Sequence, residues 1–406
     1  MTRRRKTYHF PAIPRRAPAV ADEASPPEQL ATLAYYSFQK KRRQRSRKRG
    51  DVPRILSFTG YGSTRWVRIF SRVLLSKPEW NEAEYLTQIL RDGVRGWQNF
   101  VSPPIAYAKV IIEVNGERHQ VRADRNGVVD ARIETALDPG WATVTLHVGD
   151  EESRSQDVLI IDDDTTNAII CDVDDTVWVT ALPRPFTAAW NSFLIDEHAR
   201  RPVAGMPVML NRLAEKHAGT PVFYVSTGPW NVAETLTRFM TRHLFPLGPM
   251  LLTSWGPTED SWFRSGMAHK VNTLARLAED FPQLTWTLVG DDGQHDPEIY
   301  THFAHHHPGR VDAIAIRQLS ATEALLAGGR AENTQQATPG IAWAYGPDGA
   351  ALSFQLENSG VMPPREHAPL AWPQSVTAEE QLTVAELRAD YPEFTQDLPH
   401  HTQEQP

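Results

Sequence analysis

A single cysteine, Cys171, stands among 406 residues, so no intramolecular disulfide can form and a stapled secreted scaffold is excluded. A reducing, cytoplasmic setting is the expectation. No run of about 18 apolar residues occurs, so no membrane-spanning helix is expected. The basic start Arg3-Arg4-Arg5-Lys6 leads into Pro11, Pro14 and Pro18 rather than an apolar stretch, and no signal peptide is read there. Hydrophobic residues still reach 41% against 22% charged. That is enough to bury a large core, which excludes a wholly disordered chain.

The net charge of −7 hides a segregation. Residues 1–50 hold 14 Lys+Arg and 3 Asp+Glu, whereas residues 331–406 hold 2 and 11. A block of like charge marks a solvated, disordered arm or an interaction surface. The basic arm culminates in Lys40, Lys41, Arg42, Arg43, Arg45, Arg47, Lys48 and Arg49, just after the loose apolar stripe Leu30, Leu33, Tyr36 and Phe38. Three readings compete for it: a disordered extension, adsorption to an anionic membrane, and nucleic-acid binding by counterion release. The last lacks any accompanying nucleic-acid motif and ranks lowest.

Four segments follow from a pass along the chain: a disordered basic arm (1–50), a β-rich domain (51–162), an alternating α/β domain (163–330) and a disordered acidic tail (331–406). In the second, Val110-Ile111-Ile112-Glu113-Val114 stops at Asn115-Gly116, a strong hairpin signal, and a turn follows at Asp124 to Gly127. Short strands with turns every 8–12 residues predict a small β-sandwich, with a helix over Asn81–Asp92. In the third, apolar strands at 168–171, 222–225, 250–252, 284–289 and 311–316 alternate with amphipathic helices. That pattern predicts a parallel sheet covered on both faces. A short lid is expected between Thr180 and Gly205. In the tail, Ile341–Phe354 reads as a hairpin around Pro347-Asp348-Gly349, and Val384–Tyr391 as a short helix.

Ligands of such sheets sit beyond the carboxyl ends of the strands. One strand ends in Asp172-Val173-Asp174-Asp175-Thr176, another in Ser226-Thr227-Gly228, and a third in Gly290-Asp291-Asp292-Gly293-Gln294-His295-Asp296; a helix carries Lys270. If these converge, several carboxylates share a small volume, and that charge needs a hard divalent cation with oxygen ligands, for which Mg²⁺ is suited. The same set is fit for phosphoryl transfer. One aspartate attacks phosphorus, a second two residues on protonates the leaving alkoxide, and Lys270 and Ser226 hold phosphoryl oxygens. Asp296, just before Pro297, is alternatively a helix cap. His302, His305, His306 and His307 end a helix and have a dipole rationale rather than a zinc-site pattern.

Asp172-Val173-Asp174-Asp175-Thr176 resembles the DxDxT motif of the haloacid dehalogenase (HAD) superfamily of phosphatases. Ser226, Lys270 and the Gly290–Asp296 segment resemble its second, third and fourth motifs. The likeness is closer to the actin-patch-type phosphatidate phosphatases and their bacterial relatives, whose fourth motif resembles GDSGQxDPEIY. Tyr224 to Trp230 and His269-Lys270 also look like that family. The resemblance implies a HAD-like Rossmannoid sheet with a short cap, preceded by the β-rich domain. It implies a Mg²⁺-dependent phosphatidate phosphatase with Asp172 as nucleophile and Asp174 as acid/base, and metal held by Asp172, Asp174 and Asp291. Asp292 or Asp296 is expected as a further ligand. Asp292 stands where the family has serine, and Thr253-Ser254-Trp255-Gly256 where it commonly has Arg-Asp-Trp-Gly. Two alternatives stay open: a phosphatase for another phospholipid or a soluble monoester, and a membrane-associated binding protein with an inactive phosphatase domain. A peripheral position at the inner membrane face accompanies the basic arm.

Overall fold

The computed structural model of the chain describes residues 26–77, 102–149, 152–179, 201–217, 219–230, 233–253, 265–293, 295–326 and 340–364. The expected lid between Thr180 and Gly205 falls almost wholly outside them. So do the expected helices at 81–92 and 384–391, and Ser254, Trp255 and Gly256.

Residues 26–48 correct the expectation of a disordered arm: they form helix α1 (Pro26–Lys48). The segment has no glycine or proline after its first turn and is rich in Leu, Ala, Gln, Lys and Arg, all good helix formers. The Arg125 guanidinium lies 3.5 Å from the centre of the Tyr36 ring and ties α1 to the turn at Asp124 to Gly127.

Seven strands follow: β1 (Val52–Ser63), β2 (Trp66–Ser76), β3 (Lys109–Val114), β4 (Glu117–Arg122), β5 (Val128–Glu134), β6 (Gly140–Val148) and β7 (Glu152–Ile161). The predicted sandwich has two stacked sheets. The strands instead join as one sheet in the order β4-β3-β6-β7-β1-β2-β5, because β1 pairs in parallel with β7 and bridges the halves. Asn115 and Gly116 take the left-handed backbone of the predicted tight turn, at φ 50° and 76°. The chain before β3 returns to β2, where Ile105 N donates to Val73 O and Leu75 N to Pro103 O, both at 2.9 Å. The sheet thereby curls, and Ile55, Val67, Ile69, Val73, Val110, Ile112, Leu146 and Val158 form a core on its inner face. Strand alternation sends Leu56, Phe58, Trp66, Phe70 and Leu74 to the opposite face.

That outer face is covered by the α/β part, whose strands β8 (Asn167–Asp172), β9 (Val222–Pro229), β10 (Met250–Thr253), β11 (Thr285–Asp291), β12 (Val311–Arg317) and β13 (Ala342–Gly346) form a parallel sheet. Their order is β10-β9-β8-β11-β12-β13. Helices α2 (Met206–Glu215), α3 (Ala233–Arg242), α4 (Ser265–Asp280), α5 (Asp296–His306) and α6 (Ala321–Leu326) connect them, and α7 (Gly349–Asn358) follows β13. Phe58 stacks on Trp230 with ring centres 4.5 Å apart, and the Tyr61 hydroxyl donates to Asp280 at 2.9 Å. The outer face of the β-sheet and the α/β part therefore share one core, separate from the core on the inner face of the β-sheet.

Residues 340–364 differ from the expected tail. Ala342–Gly346 is the outer strand of the parallel sheet, and Pro347-Asp348-Gly349 opens a helix rather than a hairpin. Asp348 caps α7, its Oδ1 accepting from the N–H groups of Ala350 and Ala351 at 3.0 and 2.9 Å.

Candidate active site

In the strand order, connections from β8 run one way through β9 to β10 and the other way from β11 through β12. β8 and β11 are thus neighbours at the point where the winding reverses, where a crevice opens beyond the strand ends. Asp172 ends β8 and Asp291 ends β11. One carboxylate oxygen from each of Asp172, Asp291 and Asp296 lies within 4.8 Å of the others.

Asp296 reaches this cluster although it sits in the first turn of α5. Its carboxylate does not cap that helix, contrary to the alternative reading. Oδ1 faces Lys270 Nζ at 2.5 Å, and Oδ2 accepts from the N–H of Asp291 at 3.3 Å. Gly290 permits this approach, since a Cβ there would stand 2.5 Å from Asp296 Oδ2 and 2.9 Å from the Tyr300 ring. Lys270 Nζ also lies 2.6 Å from Asp172 Oδ1, so one buried ammonium bridges two buried carboxylates. Asp291 is held by the N–H of Gly293 at 2.7 Å and, more loosely, by the Thr176 hydroxyl at 3.5 Å.

Three carboxylates against one ammonium leave an excess of negative charge among buried side chains. Burial, reinforced by Asp296, Asp291 and Asp174, pushes the Asp172 carboxyl well above the usual carboxylate range against the pull of Lys270. Burial and the Asp296 charge do the same to Asp291. Burial disfavours the Lys270 ammonium, but Asp172, Asp296 and Asp291 outweigh it and hold its pKa above that of an ordinary lysine. Asp172 Oδ2 is buried and has no hydrogen-bond partner among the described residues. An unmatched carboxylate oxygen beside two further carboxylates is a donor set of hard oxygens, and the residues fit a small divalent cation.

Ser226 is buried in the second half of β9; its hydroxyl donates to Asp174 Oδ2 at 3.0 Å and accepts from Gly228 N at 2.9 Å. It therefore orients Asp174 rather than standing free. Asp292, expected among the metal ligands, turns away: its Oδ1 accepts from the N–H of Leu319 at 2.8 Å. Cys171 is buried beside Asp172, and Trp230 packs between Phe58 and Phe70, so neither lines the crevice as an open surface. The histidines of α5 form no metal-holding group among the described residues, and His306 Nδ1 lies 2.8 Å from the His302 carbonyl.

No local pattern in the chain points to Arg317, the last residue of β12. Its buried guanidinium donates to the Asp175 carbonyl at 2.7 Å, to the Pro347 carbonyl at 3.1 Å and to Glu323 Oε1 at 2.7 Å. Asp175 has φ 58°, a left-handed conformation that turns the loop after β8 back on itself. Arg317 clamps that turn to the end of the neighbouring strand and to α6. Such a role depends on long-range pairing and leaves no local pattern to read.

The family described as phosphatidate phosphatase APP1, catalytic domain, matches residues 167–318. Phosphatidate phosphatase APP1 of Saccharomyces cerevisiae is 30% identical over 150 residues, which cover 37% of this chain and 25% of that protein. An uncharacterized protein of Schizosaccharomyces pombe is 25% identical over 153 residues with the same coverage. The chain thus aligns with about a quarter of the length of these relatives. Among solved structures, the HAD domain of effector protein Lem4 from Legionella pneumophila overlays 42% of this chain and 89% of its own at 12% identity, with a TM-score of 0.27 that is too low to support a conclusion. The matched span begins at β8, ends just past β12 and contains Asp172, Ser226, Lys270, Asp291 and Asp296. Over that span the chain is similar to the catalytic domain of the APP1 phosphatidate phosphatases, the family its strand-end motifs resemble.

Proposed function

We propose that this chain is a Mg²⁺-dependent phosphatidate phosphatase of HAD type, releasing phosphate and diacylglycerol. The single observation that carries the reading is the Asp172 carboxylate at the crevice, with a buried unmatched Oδ2, Lys270 on its other oxygen and two further carboxylates beside it. The yeast relative is a phosphatidate phosphatase, which supports the substrate class.

Asp172 Oδ2 attacks phosphorus, the P–O bond to the leaving alkoxide breaks, and an aspartyl-phosphate forms. Asp174, two residues on and oriented by Ser226, gives its proton to the alkoxide. Water then attacks the aspartyl-phosphate, returning a proton to Asp174 and freeing Asp172 and inorganic phosphate. Lys270 offsets charge on the phosphoryl oxygens. Asp172, Asp291 and the Asp174 backbone would hold Mg²⁺, with Asp296 at hand through Lys270, and the ion would neutralise phosphoryl charge when bound.

The test is phosphate release from phosphatidate in mixed micelles, run beside sugar phosphates and a chromogenic monoester. Release from phosphatidate that needs Mg²⁺, stops in EDTA and falls by at least about 10³-fold in Asp172→Asn is the expected result. Wild-type rates in Asp172→Asn would refute the mechanism. Preference for soluble monoesters would keep the chemistry and replace the substrate.

A further inference from the structure

We propose that helix α1 is a docking surface for an anionic membrane, set on the side of the molecule where the crevice opens. Lys40, Lys41, Arg45, Arg47 and Lys48 are exposed along its second half. Two large apolar side chains of the same helix, Leu33 and Phe38, are also exposed, at 59% and 45%. Basic side chains beside protruding apolar ones match a headgroup layer with acyl chains beneath it. The rest of the chain opposes this charge: residues 51–330 hold 26 Lys+Arg and 35 Asp+Glu, so the attraction is local to the helix. No helix among the described residues is long and apolar enough to cross a membrane, so contact through these residues would be peripheral.

The orientation follows from strand directions. β9 starts at Val222 and runs toward the crevice, with Trp230 just past its end. Tyr61 packs against Phe223 at the start of β9, with ring centres 5.5 Å apart. Phe58 packs against Trp230 at the far end. β1 therefore runs opposite to β9, and Val52 lies beyond Phe58 on the crevice side. Six residues of extended chain separate them, about 20 Å of strand. α1 ends just before β1, and Arg125 over Tyr36 fixes it to the sheet. A membrane held by α1 thus faces the end of the molecule that carries Asp172. Delivery of a lipid phosphate to that site rests on the proposed function; the docking does not.

The experiment is flotation of the full chain with vesicles of phosphatidylcholine alone or mixed with phosphatidylserine, across a salt series. Phosphatidylserine is not a phosphate monoester, so this readout is independent of turnover. The wild type floats with the mixed vesicles at low salt, is released as salt rises, and ignores phosphatidylcholine. Replacing Lys40, Lys41, Arg45 and Lys48 together by Gln, which preserves helix propensity, weakens binding by roughly fivefold per charge, several hundredfold in all. Phe38→Ala weakens it without changing the salt slope. Equal flotation of the quadruple variant overturns the proposal, as does a wild type that stays with buffer at low salt. So does a wild type that binds duplex DNA while ignoring anionic vesicles. Activity on phosphatidate with no flotation would overturn the docking and leave the phosphatase reading intact.

Discussion

Asp172, Asp291 and Asp296 place three carboxylates around one ammonium, and the unbalanced charge makes the metal-free site costly to fold. Asp291→Asn removes one of those charges while its side-chain oxygen can still accept from Gly293 N–H. In EDTA this variant should melt a few degrees above the wild type, since about 1 kcal/mol moves the midpoint roughly 2–4 °C. Mg²⁺ should raise the wild-type midpoint and leave the variant nearly unmoved, and phosphate release should be lost. Calorimetry with and without Mg²⁺ checks both; a variant less stable than wild type in EDTA would mean that the charge is already compensated. His269 gives a separate residue-scale prediction. Burial lowers its pKa to about 4 against a hydrogen bond to the Leu251 carbonyl at 3.2 Å. The unfolded chain binds the proton near pH 6.5, so unfolding takes up a proton between these values. The stabilisation is complete above about pH 6.5 and is lost as pH falls toward 4, by about 2 kcal/mol for this half-buried ring. Urea midpoints across that range should slope for the wild type and flatten in His269→Gln.

Strand β12 matters to the site through its last residue. Arg317 spreads three donors over the Asp175 and Pro347 carbonyls and Glu323, a fork that lysine cannot reproduce. Arg317→Lys should cost about 1–3 kcal/mol of stability, because at least one buried acceptor loses its partner. Turnover should fall about tenfold with KM little changed, since the loop after β8 loses its clamp while no substrate contact is removed. Thermal melting and steady-state kinetics on one preparation separate the two; unchanged turnover would make Arg317 purely structural. The element scale also shows which parts of the fold were legible. The five strands of the central α/β segment are seen within a few residues of their predicted positions, because a buried parallel strand is a dense run of Val, Ile and Leu. β13 reads in the sequence as one arm of a hairpin: Ala342-Trp343-Ala344-Tyr345 is indeed extended, but only the pairing with β12 makes it the edge of the parallel sheet. α1 was missed because high charge suggested disorder, although its residues are strong helix formers.

Across the whole molecule, the curled β-sheet and the α/β part share one core through Tyr61, Phe70, Trp230, Phe223 and Phe281. Tyr61→Ala should cost about 3–5 kcal/mol by opening a cavity between them. Tyr61→Phe should cost less, about 0.5–1.5 kcal/mol, because Asp280 keeps Arg68 and Arg132 when the hydroxyl is removed. A chain starting at residue 163 would expose the aromatic face that β1 and β2 cover, and should aggregate. Chemical denaturation of the two variants and the solubility of the truncated chain check this; a soluble, active truncation would show that the parts fold independently.

The residues that meet at the candidate site were readable in the chain because each motif is local: a strand ending in Asp172-Val173-Asp174, a Ser226-Thr227-Gly228 turn, a helix bearing Lys270, and Gly290-Asp291. Residue type and spacing suffice to nominate them. The assignment of carboxylates among roles was not readable. Asp292 and Asp296 stand in one loop with equal claims, and only packing turns Asp292 to Leu319 and brings Asp296 past the bare Cα of Gly290 to Lys270. The union of the β-sheet with the α/β part, and the side on which α1 lies, were likewise decided in three dimensions. They depend on which faces of distant strands meet, and no periodicity along a single segment records that.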